Sequence, residues 1–88
     1  MNESIQSRCE TQEVLVPLIT QHGLVGAWIE QVAEDRFTLS VTVKKQAERV
    51  FLAARRRPTE PRKFKSVETA VLIAKKLFEA KLLTVRLL

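Results

Sequence analysis

Apolar side chains recur along this chain with two different spacings, and the spacing assigns the elements. Residues 1–9 follow neither period and read as a flexible end. Over residues 10–22, Val14, Leu15, Leu18 and Ile19 fall three and four apart, which predicts a first helix with one apolar face. Pro17 removes a helical hydrogen bond, so it either kinks this helix or sits in its first turn. Gly23 then provides a stop, because glycine accepts the left-handed backbone that follows many helices. Residues 25–32 are rich in strand formers but alternate poorly, and read as a strand. Phe37, Leu39, Val41 and Val43 alternate strictly with Thr38, Ser40, Thr42 and Lys44, the period of a strand with one wet face. The polar residues 33–36 between these two strands suit a hairpin connection.

A third strand fits residues 49–55, with Val50, Leu52 and Ala54 inward and Arg49, Ala53 and Arg55 outward. A short helix over residues 47–56 fits the same composition, since Ala and Leu favour helices. Pro58 and Pro61 make residues 56–65 a loop. Ser66 suits an N-cap and Glu68 the positive end of a helix dipole. Val67, Ala70, Val71, Ala74, Leu77 and Phe78 then hold the helical period for three turns, and residues 84–88 supply a last strand. The expected fold is therefore α+β: a helix, a three-stranded antiparallel meander, a helix and a terminal strand (αβββαβ), with the helices on one sheet. Residues 10–88 form a single domain, since 88 residues leave room for only one core. Trp28, Phe37, Phe51, Phe64 and Phe78 are the only aromatic residues, and most belong between helix and sheet.

Candidate chemistry is sparse. One cysteine, Cys9, excludes an internal disulfide, and one histidine, His22, leaves too few ligands for a thiolate metal cluster. His22 reads as a cation at a helix end and Cys9 as an inert surface thiol. No nucleophile, base and acid arrangement and no glycine-rich phosphate loop is present, so neither an enzyme nor a cofactor is expected. No apolar run reaches the roughly 18 residues of a membrane span, and the first residues lack a signal-peptide pattern, so a cytoplasmic protein without membrane contact is expected.

Charge changes the picture. The chain carries a net +5, and residues 55–65 hold six of its fifteen Lys and Arg but only Glu60 of its ten acids. Outside this segment the charges balance, so the whole excess is local. Arg55, Arg56, Arg57, Arg62, Lys63 and Lys65 are the candidate binding residues, because clustered guanidinium and ammonium groups neutralise phosphates and release counterions. The partners such a bend fits are DNA or RNA, an acidic protein, or a protein itself bound to DNA. A rival reading makes the chain an interaction module or homo-oligomer, pairing through the edge of a strand over residues 84–88 without nucleic acid.

The order of a helix, three strands and a helix is shared with the double-stranded RNA-binding domain, but the last helix here opens Ser66-Val67-Glu68-Thr69, with an acid where that family places lysines. Residues 37–88 resemble the ParC-type partition-associated accessory proteins of bacterial plasmids and mobile elements. The likeness lies in the alternating strand at 37–43, the Glu48-Arg49-Val50-Phe51-Leu52-Ala53-Ala54-Arg55 segment, the basic bend, the helix start from Phe64 to Thr69 and the short final strand. In that pattern a glycine usually ends the helix, where this chain has Glu79-Ala80-Lys81. The resemblance implies a non-enzymatic role in plasmid maintenance beside a DNA-binding or ATPase partner, and it transfers no functional residue.

Overall fold

The computed structural model describes residues 8–46 and 48–88. Their order is β1 (Arg8–Glu10), α1 (Gln12–His22), β2 (Leu24–Ala33), β3 (Arg36–Val43), β4 (Arg49–Leu52), α2 (Val67–Phe78) and β5 (Thr84–Arg86). All five strands join one mixed sheet in the order β1-β4-β3-β2-β5. β3 runs antiparallel to β2 and β4, while β1 pairs parallel with β4 and β5 parallel with β2.

The class is α+β, but this sheet corrects the expected αβββαβ arrangement with its three-stranded antiparallel meander. Two short parallel strands extend both edges, and α1 and α2 are the connections that let them run parallel. Arg8 and Cys9 belong to β1 rather than to a flexible end, and the first seven residues of that predicted end lie outside the described residues. The open choice at residues 47–56 falls to a strand over Arg49–Leu52, with Ala47 outside the description.

α1 keeps Pro17 in its interior and ends at Gly23, whose φ of 98° is left-handed and whose N–H donates to the Ile19 carbonyl at 2.8 Å. At the start of α2 the Thr69 N–H donates to Ser66 Oγ at 3.2 Å, the cap expected there. Both helices pack on the same side of the sheet and against each other. Leu15 of α1 and Ala70, Ala74 and Phe78 of α2 meet Ala27, Ile29, Phe37, Leu39, Val41, Val43, Val50, Leu52 and Phe64 in the core. Three of the five aromatic residues lie there, and Trp28 and Phe51 do not. Of the third strand's predicted inward residues Val50 and Leu52 are buried, whereas Ala53 rather than Ala54 continues the buried set. Among the described residues no helix is long and apolar enough to cross a membrane.

α2 ends without a glycine. Glu79 takes the left-handed conformation, φ 52° and ψ 36°, its N–H donating to the Lys75 carbonyl at 3.1 Å, while the Ala80 N–H reaches the Ala74 carbonyl at 3.3 Å. A side chain with a Cβ carries a cost of roughly 1–2 kcal/mol in that region. Glycine removes this cost but adds freedom to the unfolded chain. Glu79→Gly is therefore expected to stabilise the domain by a net of about 0.5–1 kcal/mol, raising Tm by roughly 2–8 °C in a thermal melt. An unchanged or lowered Tm contradicts this account of the helix end.

Candidate nucleic-acid interface

The basic segment is built into the sheet rather than hung from it. After β4 the chain turns at Arg57-Pro58-Thr59-Glu60, closed by the Glu60 N–H donating to the Arg57 carbonyl at 2.9 Å. Proline suits the second position of such a turn because its φ is already set. The returning limb pairs with the end of β4: the Ala54 N–H donates to the Glu60 carbonyl at 2.9 Å and the Arg62 N–H to the Leu52 carbonyl at 2.8 Å. Ala53 and Pro61 lie opposite each other between those two bonds. That is a position without direct exchange of hydrogen bonds, so the missing N–H of Pro61 costs nothing there. Further along, Phe64 exchanges two 2.8 Å bonds with Phe37, and its ring is buried at 3% exposure. The expected loop over residues 56–65 is thus a hairpin extension of β4.

This lacing fixes the cations. Arg62 Cζ stands 4.7 Å from the centre of the Phe64 ring, two residues along the same side of the chain. A cation over a ring is held by the ring's quadrupole, so part of the ordering of a long side chain is already complete. Arg55 and Arg62 line a hollow of about 210 Å³ with Thr11, Gln12 and Glu13, the start of α1. An adjoining hollow of about 480 Å³ is lined by Gln12, Ala54, Arg55, Arg62 and Lys63. The Thr11 side chain caps none of the first-turn N–H groups of α1, so the positive end of that helix faces the same space.

Of the six residues singled out by charge, Arg55, Arg62 and Lys63 converge on these hollows. Arg56 and Lys65 are exposed outside them, and Arg57 pairs with Glu60 at 3.7 Å in a solvated contact. Among the described residues no carboxylate forms an ion pair with Arg55, Arg62 or Lys63. Glu13 is the one acid on the walls and offsets part of their charge. The residues 11–13 were invisible as site members, because nothing in the sequence signals that the start of α1 lies beside a segment some 40 positions later.

A second group was also missed. Arg49, Trp28, Glu30 and Arg86 cluster on the sheet face turned away from the helices, with Arg49 Nη1 donating to Glu30 Oε1 at 3.1 Å. The poor alternation of β2 hid them. Comparison with protein-family models, with curated proteins and with solved structures found no match.

Cys9 reports on this corner of the molecule. Burial pushes its thiol above the ordinary value, while the Lys63 ammonium pulls the other way and Glu10 and Glu60 add to the rise. Thiolate is the reactive form, so the rate of alkylation by iodoacetamide should reach half its maximum at a higher pH than for a free cysteine. Lys63→Gln should move that midpoint higher still, whereas a downward or absent shift would show that the Lys63 charge does not act on Cys9.

Proposed function

We propose that the chain is a non-enzymatic accessory protein that binds the phosphate backbone of nucleic acid, or a partner already on it, through the hollow of Arg55, Arg62 and Lys63. The observation that carries this reading is the convergence of three cations, free of ion pairs to the described carboxylates, at the positive end of α1. Charge that served only solubility would not need a guanidinium stacked on a buried ring and a backbone laced to two strands. A plasmid or mobile-element setting rests on the resemblance of residues 37–88 alone, and the comparisons add nothing to it.

Three phosphate contacts on a duplex correspond to a slope of about −2.7 in log affinity against log salt, and each contact to about −0.9. Fluorescence anisotropy with a labelled duplex at several salt concentrations should show at least this slope for the intact chain. Arg55→Gln together with Arg62→Gln should flatten it by about 1.8, while Arg57→Gln should change it less than either single replacement. Equal loss from all positions would mean diffuse attraction, and no binding at low salt would end the reading.

The strand-edge reading keeps one specific support. β5 is the outermost strand, all three of its residues are exposed, and Leu87 and Leu88 beyond it are 67% and 83% exposed. An open edge of this kind is a template for pairing. If a second copy pairs there, sedimentation should detect a dimer that disappears when residues 84–88 are deleted, with a retained cooperative thermal melt as the control of folding. A chain that sediments as a monomer at all concentrations removes self-pairing.

A further inference from the structure

The helices cover one side of the sheet only. By strand alternation and the cross-strand register, the other side presents Phe51 and Arg49 from β4, Ser40 and Thr42 from β3, Trp28 and Glu30 from β2, and Arg86 from β5. Trp28 lies flat against its own strand: a Cβ built at Gly26 would stand 2.8 Å from the ring atom Cη2, so no other residue fits beneath the indole without displacing it. Arg49 reaches across and lays its guanidinium on this ring, with Cζ 4.3 Å from the centre. Glu30 holds the guanidinium edge at 3.1 Å and stands 3.6 Å from Arg86 Nη1. Two arginines share one carboxylate, so the cluster keeps a net positive charge.

The result is a planar cation fixed from below by an indole and from the side by a carboxylate, with its side chain still 35% exposed. Phe51 and Trp28 flank Ser40 in one cross-strand row, and Ser40 Oγ, on a residue only 1% exposed, has no hydrogen-bond partner among the described residues. Cys9 extends that row beyond Phe51. A positive group, Arg86, thus borders the face by β5, with a stacked guanidinium and a phenyl ring farther in. The five strands give the face a width of roughly 19 Å, four steps of about 4.8 Å.

We propose that this face binds a short single-stranded segment of nucleic acid, one unpaired base stacking on the outer plane of Arg49 while a neighbouring phosphate meets Arg86. Bases that are splayed out of a helix stack on guanidinium planes as they do on aromatic rings, and a base inside a duplex offers no such plane. A guanidinium is suited to this and an ammonium is not, since only the former is flat and weakly hydrated. The inference deepens the nucleic-acid reading of the hollow and rests on it for the class of ligand.

The test uses the whole chain with fluorescein-labelled dA12, rA12 and a 12-base-pair duplex, read by anisotropy and by Trp28 emission. The single strands should bind more tightly than the duplex and quench Trp28, and the comparison of dA12 with rA12 separates DNA from RNA. Arg49→Lys, which keeps the charge, should weaken single-strand binding about 5- to 150-fold, by the same factor at two salt concentrations, and leave the duplex within twofold. Glu30→Gln decides between stacking and charge even if Arg49→Lys unfolds: it adds positive charge yet releases the guanidinium, so stacking predicts weaker single-strand binding and simple attraction predicts tighter. Tighter binding by Glu30→Gln, or a folded Arg49→Lys chain with unchanged single-strand affinity, overturns the proposal. Equal loss of single strand and duplex in Arg49→Lys also overturns it. Loss of both ligands in Arg55→Gln with Arg62→Gln leaves the hollow reading standing whatever Arg49 does. If that pair of replacements changes nothing while Arg49→Lys still loses the single strands, the hollow fails and the open face stands.

Discussion

The central strand β3 is the constraint on which the molecule depends. Leu39, Val41 and Val43 have no exposed surface, because β2 and β4 flank them and both helices cover them. A slip of one residue in this strand would turn Thr38, Ser40 and Thr42 toward the helices in place of Leu39, Val41 and Val43, setting three hydroxyls among apolar side chains. Its register is therefore held by the apolar side, while Thr38 and Ser40 on the other side are also buried, at 3% and 1% exposure, and do not form the wet face that the alternation suggests. That register in turn fixes β4 through the Ser40, Val41 and Thr42 pairs and β2 through eight pairs from Leu24 to Ala33. The edges follow, since β1 depends on β4 and β5 on β2.

A one-sided apolar core also divides the chemistry. Apolar side chains and both helices occupy one side, so residues of the opposite parity in the same strands must face the other way. There Trp28 and Arg49 shield the buried hydroxyl row and Glu30 offsets part of the charge. Such a cover is unusual for a purely solvated face, where scattered Lys, Thr and Glu suffice. Three long side chains are held in one geometry instead, which costs rotamer entropy that solvation alone does not return.

Where the local pattern was strong, it reached the structure intact. The strict alternation of 37–43, the cap at Ser66 and the period of α2 each depend on contacts within a few residues, and all three are present. β1, and the parallel pairing of β5, were beyond such reading. A three-residue strand shows no period, and parallel pairing is decided by where a helix returns the chain rather than by its own side chains. Residues 84–88 read as a last strand, but their pairing with β2 was not legible. The site divides the same way. Counting charge located the six basic residues, but which three converge depends on the position of the start of α1, and Arg49 lay outside the count because its segment is balanced by Glu48.

β4 joins the two candidate surfaces. Within four residues it sends Val50 and Leu52 to the core and Arg49 and Phe51 to the open face. It then continues into the hairpin that places Arg55 and Arg62 beside α1. The hollow on the helix side and the stacked guanidinium on the bare side are therefore parts of one continuous ribbon, held to β3 at one end by Val41–Val50 and at the other by Phe37–Phe64. A ligand touching both sides would have to pass around an edge of the sheet. A flexible strand can follow that edge and a rigid duplex cannot, because a duplex bends over such a short distance only at a cost of several kcal/mol. On the proposed reading, the path of β4 therefore suits an extended, unpaired polymer better than a helical one wherever the two surfaces act together.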